Sequence, residues 1–120
     1  MQPSIDFRFK RADAVSQLFI LNAKSGNLDL TGCSAWMQFR TPTGRLIADV
    51  SANLTIDNTE IPETPWIKTV ALNLTAAETA LIEPGTHLTD LEILWSDGSP
   101  ASSRTLFVEV LDDQTKRIAE

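Results

Sequence analysis

The chain has 120 residues, 42% of them hydrophobic and 22% charged, which suffices for one modest core and speaks against disorder. Its formal net charge of −6 argues against DNA or RNA as a partner, because phosphate binding needs a basic face. Cys33 is the single cysteine, which excludes an internal disulfide framework, and no apolar run approaches the ~20 residues that cross a bilayer.

The opening MQPSIDFRFKR carries charges where an export signal has its apolar core, so folding in a cytoplasm is expected. Strand signals then recur at short intervals. IDFRF (5–9) predicts a first strand and VSQLFILN (15–22) a second, followed by the turn AKSGN. SAWMQFR (34–40) predicts a third, ended by Pro42 and Gly44. LIADV (46–50) and NLTI (53–56) predict a fourth and a fifth, or one bent strand. The stretch 57–66, DNTEIPETPW, has two prolines and no periodicity, and reads as a loop. IKTVALNL (67–74), LTDLEILWS (88–96) and SSRTLFVEVLD (102–112) predict the remaining strands.

One helical phrase interrupts them, TAAETALIEPG at 75–85. Thr75 is a good N-cap, and Glu78 falls where its carboxylate can reach back to the cap's own amide. Pro84-Gly85 closes the phrase. It is expected to carry the chain between two sheets and plug the open end of the core with Leu81 or Ile82. About seven to eight short strands with one helical turn near 75–82 predict an all-β, Ig-like antiparallel β-sandwich. One domain over 1–120 is expected, with 1–5 and 113–120 as arms that are flexible or dock elsewhere.

Alternation supports the strands. Val70, Leu72 and Leu74 share one face, as do Leu91, Ile93 and Trp95, and Leu106, Val108 and Val110. The exceptions carry more information. Phe107 and Leu111 oppose their inward row, Trp36 opposes Ala35, Met37 and Phe39, and Leu18 and Ile20 oppose Phe19 and Leu21. Sheet faces that should be wet are therefore partly apolar, to be covered by a loop or terminus, or by another subunit.

No catalytic constellation can be assembled. His87 lacks a recognisable nucleophile and orienting carboxylate, no GxSxG elbow is present, and the histidine reads as exposed or capping. Metal and phosphate signatures are missing too, so no enzyme activity, cofactor or metal is expected. Cys33 reads as small-residue packing. Trp36, Trp66, Phe107 and Leu111 are the candidate interface residues, since aromatics tend to carry hot-spot energy. The same tryptophans leave open a carbohydrate-binding module.

GNLDLTGCSAWMQFRTPTGRLIADV, LNLTAAETALIEPGTHLTDLEILWSDGS and SSRTLFVEVLDDQTK together resemble small β-sandwich structural proteins of tailed bacteriophages and prophages. The N-terminal module of siphophage baseplate upper proteins is one such relative. The signals that carry the resemblance are Asp29-Leu30-Thr31-Gly32, Arg40, the 75–85 phrase and Asp90-Leu91-Glu92. The family usually has an aromatic where Leu88 stands, and often Gly-Asp where Ala12-Asp13 stands. The resemblance implies a non-enzymatic virion protein of the baseplate, tail, fibre attachment or capsid surface. Its partners would be other virion proteins and, as a homo-oligomer, itself, with no nucleic acid and no membrane.

Overall fold

The period-two rows of the sequence become strands in the computed structural model, which describes residues 4–23 and 26–112. In chain order these are β1 (Phe7–Lys10), β2 (Val15–Asn22), β3 (Ser34–Trp36), β4 (Gln38–Arg40), β5 (Leu46–Asp49), β6 (Leu54–Asp57) and β7 (Ile67–Leu74). The helical turn α1 (Ala76–Thr79) follows, then β8 (Gly85–Thr89), β9 (Glu92–Leu94), β10 (Pro100–Ser102) and β11 (Leu106–Leu111). The predicted arms, apart from Ser4 and Ile5, lie outside the described residues.

Two predicted strands, 34–40 and 88–96, are each split in two and side chains explain the breaks, while β10 forms mostly ahead of the predicted strand 102–112. At Met37 the backbone turns to residues 50 and 51: its amide donates to Ser51 Oγ (2.9 Å) and its carbonyl accepts from Val50 (3.0 Å). At Leu91 the amide donates to Ser103 Oγ (2.9 Å) and the carbonyl accepts from Ser103 (2.8 Å). A serine on a neighbouring segment thus replaces a rung of the ladder. The 3-10 turn Ser51–Asn53 separates β5 from β6, so the fourth and fifth predicted strands are distinct elements.

One sheet has the order β1-β11-β8-β4-β5; a separate sheet, β10-β9-β3, adjoins β11, β8 and β4 in the chain, and the two together make one bent layer, the long sheet. The other layer is β2-β7-β6. Ladders among the described strands are antiparallel except β1 against β11, which is parallel from Phe7↔Val108 to Lys10↔Leu111. Asp6 clamps the start of that pair: it accepts from the Phe107 amide (2.8 Å) and from the Arg104 guanidinium. These two donors, the guanidinium foremost, hold its carboxyl below the usual range. β1 then crosses to β2 in the other sheet, which gives the Ig-like sandwich.

The core lies between the layers. Phe7 meets Phe19 of the opposite sheet edge-on at 5.7 Å, and Phe39 lies 6.3 Å from both Phe7 and Phe9. Val70, Leu72, Val108 and Val110 complete it, all on the rows that alternation predicts to be inward. Trp95 is half-buried against this cluster.

The helical phrase does what its residues predict. Both halves of the capping box are formed, Glu78 amide to Thr75 Oγ1 (3.1 Å) and Thr75 amide to Glu78 Oε1 (2.8 Å). Ile82 is the residue that plugs the core, while Leu81 stands 86% exposed. His87 is buried rather than exposed, and its Nε2 donates to the Glu83 carbonyl (2.7 Å) at the end of the phrase. Inward-facing register, opposite Val108, puts it there.

Candidate functional site

Sheet register decides which candidate residues come together. Arg40 lies opposite Leu88, and Leu88 opposite Phe107, which makes a row across β4, β8 and β11. Trp36 lies opposite Glu92 on β9, and Leu111 opposite Lys10 on β1. Their strand neighbours Phe39, His87, Val108, Ile93 and Val110 are buried, so alternation sends all of these side chains outward. Trp36, Phe107 and Leu111 therefore share the outer face of the long sheet. Trp66 does not. It sits in the turn before β7, with its carbonyl accepting from Ala23 (2.9 Å).

On the shared face Trp36 is 49% exposed, and Phe107 and Leu111 are half-buried. A groove of about 190 Å³ runs past Trp36, Gln38, Asp90 and Glu92. A second, of about 270 Å³, continues past Gln38 and Asp90 to Arg40 and Leu88. A polar chain holds the β4 side of both. Gln38 Nε2 donates to Asp49 (3.1 Å), Arg40 Nη2 to Gln38 Oε1 (2.7 Å) and Arg40 Nη1 to the Gly44 carbonyl (2.9 Å). The Ser51 amide, its hydroxyl and Gln38 together keep the Asp49 carboxyl below the usual range. This face thus presents the Arg40 guanidinium, the Asp90 and Glu92 carboxylates and the Arg8–Glu109 ion pair (3.2 Å) among apolar side chains. Such a mixture suits recognition of another protein surface: the apolar groups desolvate and the charges set orientation.

Among the described residues no three His, Cys, Asp or Glu side chains gather as metal ligands would. Cys33 is free and half-buried against the core.

Two residues that position this region escape sequence reasoning. Asp6, whose clamp fixes Phe107, is about a hundred residues away from it in the chain. Asn58, from the Pro-rich loop, donates to Asp29 (3.0 Å) and Thr31 (3.2 Å) and accepts from the Leu30 amide (2.7 Å). No local pattern announces either contact. Asn58 explains the DLTG stretch: Leu30 is buried, and Asp29 also accepts from the Thr31 hydroxyl (2.6 Å) and amide (3.0 Å). The Thr31 hydroxyl, then Asn58, then the Thr31 amide pull the Asp29 carboxyl down to about 2. Gly32 completes the turn at φ +76, where an added Cβ would lie 3.1 Å from Ser96 Cβ. Next to Pro65, which precedes Trp66, a hollow of about 310 Å³ is lined by Asn27, Leu28, Asp29, Asn58, Glu60, Pro65 and Lys68.

No family model matches the chain, and no curated protein matches it. Among solved structures it is similar to part of a family 123 glycoside hydrolase from Clostridium perfringens, with 14% identity and a TM-score of 0.53. That alignment covers 89% of this chain and 22% of the enzyme, so the chain spans about a fifth of its length. An alignment with CopC from Methylosinus trichosporium OB3b covers 96% of this chain and 92% of that one, at 17% identity and a TM-score of 0.41. At 14% identity the likeness to the glycoside hydrolase region shows a shared fold alone.

Proposed function

We propose that this chain is a non-enzymatic structural protein of a tailed-phage particle. It works by binding neighbouring virion proteins through the outer face of its long sheet. The observation that carries this reading is the gathering of Trp36, Leu88, Phe107 and Leu111 with Arg40, Asp90 and Glu92 on one face. At two positions the chain departs from those phage modules, yet the fold there suits the residue the family usually has. Leu88, where that family has an aromatic, lies on this face between Arg40 and Phe107. Ala12, where it often has glycine, adopts φ +67, the left-handed region that glycine tolerates best. The protein would be made in the bacterial cytoplasm and end in the virion.

Trp36→Ala tests the reading. The exposed indole contributes little to folding, so the melting temperature should hold. Incorporation into particles should weaken by a hot-spot amount, ~2 kcal/mol or about 30-fold in affinity. Unchanged incorporation by a folded variant would sink it.

The hollow near Trp66 favours a second reading, glycan binding. Amide and carboxylate groups line it, and Trp66, 41% exposed, directly follows Pro65 of its rim, an arrangement that suits a sugar ring. Host polysaccharide should then shift the fluorescence of the wild type and not of Trp66→Ala. Such a shift, together with normal assembly of Trp36→Ala, would replace the first reading by the second.

A further inference from the structure

Among the described residues β2 borders its sheet, with β7 on one side only. The Ala23 amide donates to the Trp66 carbonyl in continuation of the β2–β7 ladder, so odd-numbered residues of β2 direct their backbone groups to β7. Ser16, Leu18, Ile20 and Asn22 direct theirs to the open side. Among the described residues the contact those groups make is from Gln17 Nε2 to the Leu18 carbonyl (3.3 Å). The side chains of Leu18 and Ile20 are 54% and 61% exposed. Along this edge run two joined, mainly apolar grooves of about 280 and 360 Å³, which share Ile20, Leu21, Leu91 and Ser103.

Soluble proteins blunt such edges with charge, proline or brevity. The other edges of this molecule obey that rule. β1 carries Arg8 and Lys10, β5 carries Asp49, β6 carries Asp57, and β3 and β10 have three residues each. β2 has eight residues and no charge.

We propose that β2 pairs antiparallel with β2 of a second copy, joining two three-stranded sheets into one of six strands. The strand's own sequence selects this occupant. In the register centred on Phe19, Leu18 meets the partner's Ile20 and Ser16 meets the partner's Asn22, so apolar faces apolar and polar faces polar. Centring on Leu18 sets Ser16 against the partner's Ile20, and centring on Ile20 sets Leu18 against the partner's Asn22. Only the Phe19 register also pairs the four outward residues of each copy with one another, for about eight backbone hydrogen bonds. Two copies of a chain with net charge −6 repel, and β2 is an approach on which no ionisable group of the strand adds to that repulsion. The inward side chains of the added strand enter the joined grooves. This pairing uses the sheet opposite the virion-binding face and does not depend on that reading.

Sedimentation of the pure protein over a concentration series tests it. Wild type should dimerise reversibly, and Leu18→Lys and Ile20→Glu should each weaken the dimer by ~10-fold or more, with melting temperatures kept. Leu18→Lys combined with Ile20→Glu should restore it to within about threefold, because each new ammonium then faces the partner's new carboxylate. Hydrogen exchange of wild type gives an answer without a variant: the Leu18 and Ile20 amides should gain protection as concentration rises, while those near Trp36 should not. A monomer up to millimolar concentration, single variants that dimerise normally, or a double variant as weak as the singles would each overturn the pairing.

Discussion

Ala12 links β1 to β2 at φ +67, a conformation that costs an L-residue about 1–2 kcal/mol. Ala12→Gly should therefore raise stability by roughly 0.5–1 kcal/mol, after the greater unfolded-state freedom of glycine is subtracted. Denaturant melts of the two proteins check it, and a lower midpoint for the variant would contradict the strain. Asp29 makes a prediction in pH. Its three donors lower its carboxyl from the ordinary 3.8 to about 2, so the folded state favours the ionised form. A depressed folded pKa gives stability that is full above the unfolded pKa and lost as pH falls through the folded one. The melting temperature of wild type should thus fall between about pH 4 and pH 2 more steeply than that of Asp29→Asn. Parallel curves would remove Asp29 from the acid response. The Asx-type turn at Asp29 is readable from DLTG; the Asn58 contacts that tighten it are not, because they come from a loop with no periodic signal.

At the scale of elements, α1 shows how a four-residue helix persists. Alone, so short a segment would not form, since nucleation fixes several dihedrals for one hydrogen bond. Here the capping box closes its first turn, Asn53 Nδ2 reaches Glu78 (2.9 Å), and Thr79 Oγ1 reaches the Asp13 carbonyl (2.8 Å). Thr75→Ala should cost about 1 kcal/mol and leave particle binding intact. A variant with wild-type stability and no binding would make the phrase a contact site instead. The cap was legible because its two partners are three residues apart. The splits at Met37 and Leu91 were not: Ser51 and Ser103 act on them from neighbouring segments, and alternation continues unbroken through both bends.

For the molecule as a whole, Phe39 is the test of a continuous core. It is fully buried and contacts Phe7 and Phe9 of β1, which in turn reach the opposite sheet through Phe19. Phe39→Ala should cost about 3–5 kcal/mol. That is a large part of the ~5–15 kcal/mol that holds a domain together, so the variant should be partly unfolded at 37 °C. Calorimetry decides this, and a loss under ~1 kcal/mol would mean that the two layers are held elsewhere.

Hydrophobic period identified the strands' inward rows and the all-β class, and the Thr75–Glu78 spacing the capped turn, because each depends on neighbours within a few residues. It also marked Trp36, Phe107, Leu111, Leu18 and Ile20 as apolar residues on faces that should be wet. Which of them stand together was decided by strand order. Register places Phe107 and Leu111 on one sheet face and Leu18 and Ile20 at a free edge, chain continuity through the Met37 bend brings Trp36 to the same layer, and Trp66 sits in a turn of the other sheet. The burial of His87 and the parallel run of β1 along β11 belong to the same class of facts. Each depends on contacts between segments far apart in the chain, where loop closure leaves many pairings open and only the packed whole selects one.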